Sequence, residues 1–373
     1  MFNPFMLVPF LVCVYEVLSM ILPLKISWWA KVIAVLILFS GIAKSMIYRR
    51  TSSGFDLVEM PYLLNLFTTC VFNFVIVAVF LLLLKDAVYV LWKILSRSPF
   101  PAHNASLFVF SVALVATIYG TYEGLRIPDV NRHALIIPGL GQDFDGLKVA
   151  VLVDIHADAL TDRAAVQRIV DKTNSLEPDV ILIPGDFVDG TVERRLHDLE
   201  PLSSLKAKLG VYGSTGNHEY YFDYAGWMKK LPELGVRMLM NEHVVLKSGD
   251  AELVIAGVPD PTCERMGVGK RRVDSALSGV PEGVPVVLMD HQPRDARENA
   301  KLGVSLQVSG HTHGGQMPII YSIVRKANAG YVRGWYEAEL MKLYVSPGTS
   351  QWNGFACRIF DPAEITLITL KAE

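Results

Sequence analysis

Carboxylates, imidazoles and one amide recur in short polar blocks through the later part of this 373-residue chain. They are Asp154-x-His156, Gly185-Asp186-x-x-Asp189, Gly216-Asn217-His218-Glu219, Asp290-His291 and Gly310-His311-x-His313. A mixture of oxygen and imidazole donors suits borderline divalent metals such as Mn, Fe, Zn or Co better than Ca or Mg. No cysteine lies in these blocks, which argues against a closed structural zinc site. The donors outnumber what one tetrahedral ion takes. Two ions roughly 3.5–4 Å apart, bridged by one carboxylate, would use them all.

The elements that must position these groups are legible from hydrophobic pattern. "LKVAVLV" leads to Asp154, "DVILIP" to Gly185-Asp186, "GVYGST" to Gly216-Asn217, "VPVVLM" to Asp290-His291 and "SLQVS" to Gly310-His311. "MKLYVS" and the closing "EITLITL" add further strands, and "DRAAVQRIVDKTNSLEP" has helical apolar spacing that stops before Pro178. Alternating strands and helices, then mostly strands, predict a layered α/β domain with two sheets. Asp154, Asp186, Asn217, His291 and His311 each stand at or within two residues of a strand's carboxyl end, where side chains converge on one crevice. A lone histidine there is more often structural; the set together reads as a site. His103, His133, His197 and His243 fit none of the blocks and read as surface or loop residues.

The ordered series D-x-H, G-D-x-x-D, G-N-H-E, H, G-H-x-H resembles the calcineurin-like metallophosphoesterases over nearly all of residues 147–370. That resemblance implies a four-layer α/β/β/α sandwich and hydrolysis of a phosphoester or pyrophosphate bond by a metal-activated hydroxide. By motif, Asp154, His156 and His313 would hold the first of two divalent metal ions. Asp186 would bridge, and Asn217, His291 and His311 would hold the second. His218 matches the family's non-ligand histidine, which contacts the phosphate and protonates the leaving oxygen, and Asp189 the carboxylate that orients it. An extended backbone would set His311 and His313 on one side, each reaching an adjacent metal, with the flanking glycines giving close backbone approach. "SGHTHGGQ" and "EITLITL" are similar to a membrane-associated bacterial branch of the superfamily. Four positions depart from common patterns: Gly190 where protein phosphatases carry arginine, Val153 for a usual Ser, Asp158 for a usual Gly, and Pro347 for a usual Arg. The first speaks against a phosphoprotein substrate.

The amino-terminal third is different in kind. Phe5–Leu24, Ser27–Tyr48, Tyr62–Leu84 and Ala105–Tyr122 approach the about 20 apolar residues that cross a bilayer. Trp28, Trp29, Tyr48, Tyr62 and Trp92 fall near their ends, as interfacial aromatics do, and Lys85–Arg97 reads as an interfacial extension. The first segment lacks the basic leader of a signal peptide. The expected organisation is a transmembrane region of about four helices over 1–123, a linker over 124–146, and a metallophosphoesterase domain over 147–373. An even number of spans sets both chain ends on one side, but flanking Lys and Arg divide almost equally between the two orientations. Glu16, inside the first span, is equally a functional carboxylate or a protonated helix-paired one.

A net charge of -2 says little about partners, and no basic stripe argues for nucleic acid, so none is expected. Cys13, Cys70, Cys263 and Cys357 form no metal spacing and read as free thiols, with a Cys263–Cys357 bridge as the alternative. "EYYFDYAGW" after His218 fits both a cleft wall and core packing, and "GKRR" at Gly269–Arg272 fits a solvated charge run better than a headgroup contact. The expectation is a multi-pass protein of a bacterial inner (plasma) membrane, acting on a phosphorylated small molecule or lipid and needing no obligatory protein partner. Two other readings stay open: a phosphodiesterase for soluble nucleotides or diesters with the helices as anchor only, and a non-catalytic membrane scaffold.

Overall fold

A computed structural model describes residues 4–50, 60–352 and 354–373, and divides the chain into two compact units. One comprises Gly124–Trp352 and Phe360–Glu373; the other comprises Met1–Glu123 and Asn353–Ile359.

The first unit is a sandwich of two six-stranded sheets. Its strands are β1 (Asp129–Ile136), β2 (Lys148–Val151), β3 (Val180–Pro184), β4 (Val211–Ser214), β5 (Arg237–Met238), β6 (Glu242–Ser248), β7 (Ala251–Gly257), β8 (Val286–Met289), β9 (Leu306–Ser309), β10 (Gly334–Ala338), β11 (Met341–Val345) and β12 (Glu364–Lys371). One sheet runs β1-β12-β2-β3-β4-β5, the other β10-β11-β9-β8-β7-β6. Alternation along the strands explains the layering. Val149, Val151, Val180 and Leu182 face Leu253, Ile255, Val287 and Met289 in a core between the sheets. The intervening Ala150, Ile181 and Ile183 pack outward on Val166, Ile169 and Trp227 of covering helices. Val254, Val286 and Leu288 pack on Val273, Ala276 and Ala296 beyond the second sheet. The result is the expected α/β/β/α order. The strands β2, β3 and β4 are mutually parallel, as are β8 and β9, so their carboxyl ends gather at one edge.

Residues 124–146, expected as a linker, contain β1, which pairs in parallel with β12 along its whole length. The pattern hides this strand because β1 is an edge strand with polar residues exposed on both faces, Asp129 and Asn131 on one and Arg132 on the other. His133, expected on the surface or in a loop, is accordingly half-buried on β1, 3.2 Å from the Tyr344 hydroxyl.

In the second unit, α1 (Pro4–Glu16) runs into a π-turn at Val17–Ile21 and is followed by α2 (Trp28–Arg50), α3 (Tyr62–Leu95) and α4 (Ala102–Leu125). Among the described residues, α3 and α4 are long and apolar enough to cross a membrane; Leu7–Ile21 and Trp28–Ile42 are shorter apolar helices. As expected, the stretch after Lys85 extends the third helix: α3 continues to Leu95. Asp86 receives the Tyr15 and Ser19 hydroxyls at 2.7 Å each, so the charge is met inside the unit. Glu16 is fully buried. Residues 354–359 form a strap in this unit: Asn73 Nδ2 on α3 donates to the Ala356 carbonyl at 2.7 Å, and Arg358 N donates to the Gly120 carbonyl on α4 at 2.9 Å. All four cysteines are free thiols, as expected.

Candidate metal centre

Every residue assigned to the site by motif lies in the first unit, in loops after strand ends. Asp154 and His156 follow β2, Asp186 and Asp189 follow β3, Asn217 and His218 open a short helix after β4, His291 follows β8, and His311 and His313 follow β9. Glycines let these loops touch. A Cβ on Gly185 would lie 2.2 Å from Gly216 N, and one on Gly216 would lie 2.2 Å from Asp186 Oδ1, so both motifs require glycine where their backbones meet. Glu219 ties the same loops together, accepting from Asp186 N at 3.1 Å, Phe187 N at 2.8 Å and Gly216 N at 2.7 Å.

Three overlapping groups of side chains could each hold an ion; one is His156, Asp189 and His218, and the other two are Asp154, His156 and His313, and Asp186, His291 and His311. Asp186 Oδ2 lies between them, 3.5 Å from His156 Nε2 and 3.2 Å from His291 Nε2. His156 Nε2 and His313 Nε2 stand 3.1 Å apart. His311 Nδ1 is 2.8 Å from Asn217 Oδ1; deprotonated, both atoms offer lone pairs to one cation. His291 Nδ1 donates to the Pro184 carbonyl at 2.8 Å, which aims Nε2 inward, where it is buried without a hydrogen bond. Ring nitrogens converging on one another and on a carboxylate fit divalent cations, and the donor set fits borderline metals.

The backbone shows the cost of this convergence. Asp154, His156, Asp186, His311 and His313 all have φ between 45° and 69°, the left-handed region. Non-glycine residues held there cluster at functional sites. This overturns the expected extended stretch at His311–His313. The loop is left-handed at both histidines and turns into a 3₁₀ helix at His313–Gly315, sending His311 and His313 to different donor groups.

In the group of His156, Asp189 and His218 the facing atoms are already joined: Asp189 Oδ1 accepts from His156 Nδ1 at 2.8 Å and His218 Nδ1 at 2.6 Å. His218 Nε2 lies 4.0 Å from Asp186 Oδ2. Burial opposes charging His156, but Asp189, Asp186 and Asp154 outweigh it and raise its pKa to about 9. Burial opposes protonation of His291 and His218 as well, and surrounding carboxylates again raise both. Asp186 is held well below the carboxylate range against burial by His291, His218 and His156. Burial and then His291 push His311 down to about 3. The carboxylates thus call for positive charge between them, which protons supply in the metal-free protein and cations would supply otherwise.

Two of the four departures, Gly190 and Asp158, have structural reasons. Gly190 has φ 149°, and a Cβ there would lie 2.8 Å from Arg195 Cγ, leaving no room for the arginine of protein phosphatases. Asp158 Oδ1 caps a turn, accepting from Leu160 N and Thr161 N at 2.7 Å each. Asp290 points away from the donors and pairs with Arg271 and Asn299, so half of the "RR" in "GKRR" is built into the fold. The aromatic run after His218 divides: Trp227 is wholly buried and donates to the Gly190 carbonyl, while the Tyr221 and Phe222 rings lie 5.4 and 6.0 Å from His218. Two residues had no assigned role in the sequence. Glu219 carries a signal, standing three after the helix-capping Gly216. Trp352, 6.0 Å from His218, carries none.

Two donor groups meeting across one carboxylate are the equipment of a metal-dependent hydrolase. The comparisons agree. The calcineurin-like phosphoesterase family matches residues 147–315. The chain is similar to a transmembrane protein with metallophosphoesterase domain of Danio rerio, 31% identical over 327 residues, covering 83% of this chain and 74% of that one. Its Bos taurus counterpart is 31% identical over 366 residues, covering 92% and 81%. A metallophosphoesterase of Helicobacter pylori strain J99 is 31% identical over 351 residues, covering 93% and 90%. The chain belongs to the calcineurin-like metallophosphoesterase family, and is a metal-dependent phosphoester hydrolase with an apolar helical region ahead of its catalytic fold.

Proposed function

We propose that this protein is a membrane-anchored phosphoesterase working with two divalent cations, and that its substrate carries a phosphoester or pyrophosphate on a lipid. The observation that carries the two-cation reading is the position of Asp186 Oδ2 between His156 and His291. Asp154, His156 and His313 would hold one ion, Asn217, His291 and His311 the other, and Asp186 both. Bound there, two cations supply Lewis acidity for the phosphoryl oxygens and an activated water.

The remaining steps belong to the chain's own residues. His218 is held by Asp189 through Nδ1, which leaves Nε2 for a phosphoryl or leaving-group oxygen. Burial opposes its charge, but Asp189 and Asp186 raise its pKa and so favour the protonated ring, which can stabilise the equatorial charge or give a proton. Tyr221, Phe222 and Trp352 beside it supply an apolar wall. Helices α3 and α4, and relatives named as transmembrane proteins, support anchoring in a membrane. More apolar helix than a tether requires favours a lipid-borne substrate over a soluble one.

The test is hydrolysis by detergent-purified protein in Mn, with bis-p-nitrophenyl phosphate and lipid pyrophosphates assayed side by side. The proposal expects cleavage of both, with the lipid preferred. Cleavage of the soluble diester alone would return the helices to a mere anchor. Undiminished hydrolysis by Asp186→Ala would remove the two-cation assignment.

A further inference from the structure

The loop that carries His311 and His313 runs directly into a ten-residue helix, Pro318–Ala327, none of whose residues is buried. Its inner side is the half-buried Ile320, Tyr321 and Val324. On its other side Ile319 is 49% and Ile323 68% exposed, one turn apart on the same face. Arg325 and Lys326 close the helix, and both are exposed. An apolar stripe offered to solvent with cations at its end is the composition of a helix lying in a lipid interface, its lysine stem reaching back to the headgroups.

The strap supplies a second, independent observation. Residues 354–359 are held by α3 and α4, the two helices long and apolar enough to cross a membrane, through Asn73 and Gly120. The residue before this segment is followed back by Trp352, whose ring is 6.0 Å from His218. The residue after it is Phe360, 73% exposed at φ 64°. The Phe360 carbonyl accepts from Arg333 Nη1 at 3.3 Å, and Arg333 pairs with Asp361. Asp361 in turn fills the space over Gly314, where a Cβ would lie 1.8 Å from its Oδ2, within the metal loop itself. The segment held by the apolar helices is thus flanked in sequence by Trp352 and Phe360, which belong to the catalytic fold.

We propose that the Pro318–Ala327 helix lies in the headgroup region of a lipid bilayer, with Ile319, Ile323 and Phe360 in its apolar layer and Arg325 and Lys326 at anionic headgroups. The metal centre then takes the phosphate of a lipid presented from that surface. This rests on the phosphoesterase reading and names the surface from which its substrate comes. A lipid surface fits better than a second copy of the chain, because the stripe is narrow and ends in two cations, complementary to phosphate.

The test uses the full chain, reconstituted in phosphatidylcholine–phosphatidylglycerol vesicles with brominated acyl chains. Ile323→Trp and, as a second site, Ile319→Trp are compared with Arg237→Trp on the exposed edge strand β5, each after subtraction of wild-type emission. We expect the two helix positions to be quenched about twofold or more beyond the control, since an interfacial helix sinks its apolar face roughly 5–10 Å past the headgroup boundary. Quenching no greater than the control overturns the proposal, including the case of shielding from aqueous acrylamide without lipid quenching, which a second copy would produce. Hydrolysis of bis-p-nitrophenyl phosphate is followed in parallel. Quenching without hydrolysis refutes the phosphoesterase reading but keeps the helix in lipid; hydrolysis without quenching keeps the enzyme and removes the lipid surface.

Discussion

One oxygen of Asp189 receives two imidazoles, those of His156 and His218. The carboxylate therefore fixes the ring of a candidate ligand as well as that of the proposed proton donor. His218→Ala should lower the hydrolysis rate by about 10²–10⁴-fold with metal content unchanged, as loss of one acid–base group does. Asp189→Asn should lower both rate and metal content, because His156 loses its anchor; outer partners of this kind are worth roughly 10–100-fold in affinity. Metal analysis beside the rate separates the two. Burial opposes the charge on His156, yet its carboxylate neighbours raise its pKa to about 9, so at neutral pH a cation must displace a proton there. Metal affinity should rise from pH 6 toward pH 9, with protons released into weakly buffered solution on loading at pH 7. A pH-independent affinity would contradict the protonated ligand. Asp154, His156, Asp186, Asn217, His291, His311 and His313 were legible in the sequence because motif spacing names residue types. The second partner of Asp189 was not, since it depends on how the His156 ring is turned by a left-handed backbone.

At the scale of elements, the strand ends bring the chemistry to one edge and Glu219 locks the loops there. Its carboxylate serves three backbone N–H groups from two loops. Glu219→Ala would orphan these buried donors at about 1–3 kcal/mol each, though the groups share one network and will not add fully. A clear fall in thermal midpoint is expected, together with weaker metal retention; an unchanged midpoint would mean that water replaces the carboxylate. Most strands were readable because each buried strand is a short apolar run bounded by turn residues. The edge strand β1 was missed because polar residues are exposed on both of its faces and its partner β12 lies more than two hundred residues later, at Glu364–Lys371. The left-handed His311 and His313 were missed for a related reason. Period-two reasoning assumes an extended backbone, and His311 and His313 are instead left-handed, at φ 69° and 46°.

At the scale of the whole molecule, residues 354–359 belong with the apolar helical unit although the residues flanking them in sequence belong to the phosphoesterase sandwich. Nothing in the local sequence announces this, because the partners of the strap, Asn73 and Gly120, are distant in the chain. Asn73→Leu removes the donor to the Ala356 carbonyl, and amide exchange over 354–359 should speed up while that of β3 and β8 stays slow; unchanged exchange in the strap would show that the bond does not hold it. The account as a whole rests on paired cations at the edge of the sandwich. Anomalous diffraction from crystals of the Mn-loaded protein tests this most directly. Two peaks roughly 3.5–4 Å apart are predicted, one among Asp154, His156 and His313, the other among Asn217, His291 and His311, with Asp186 touching both. A single peak, or two that do not share Asp186, would contradict it.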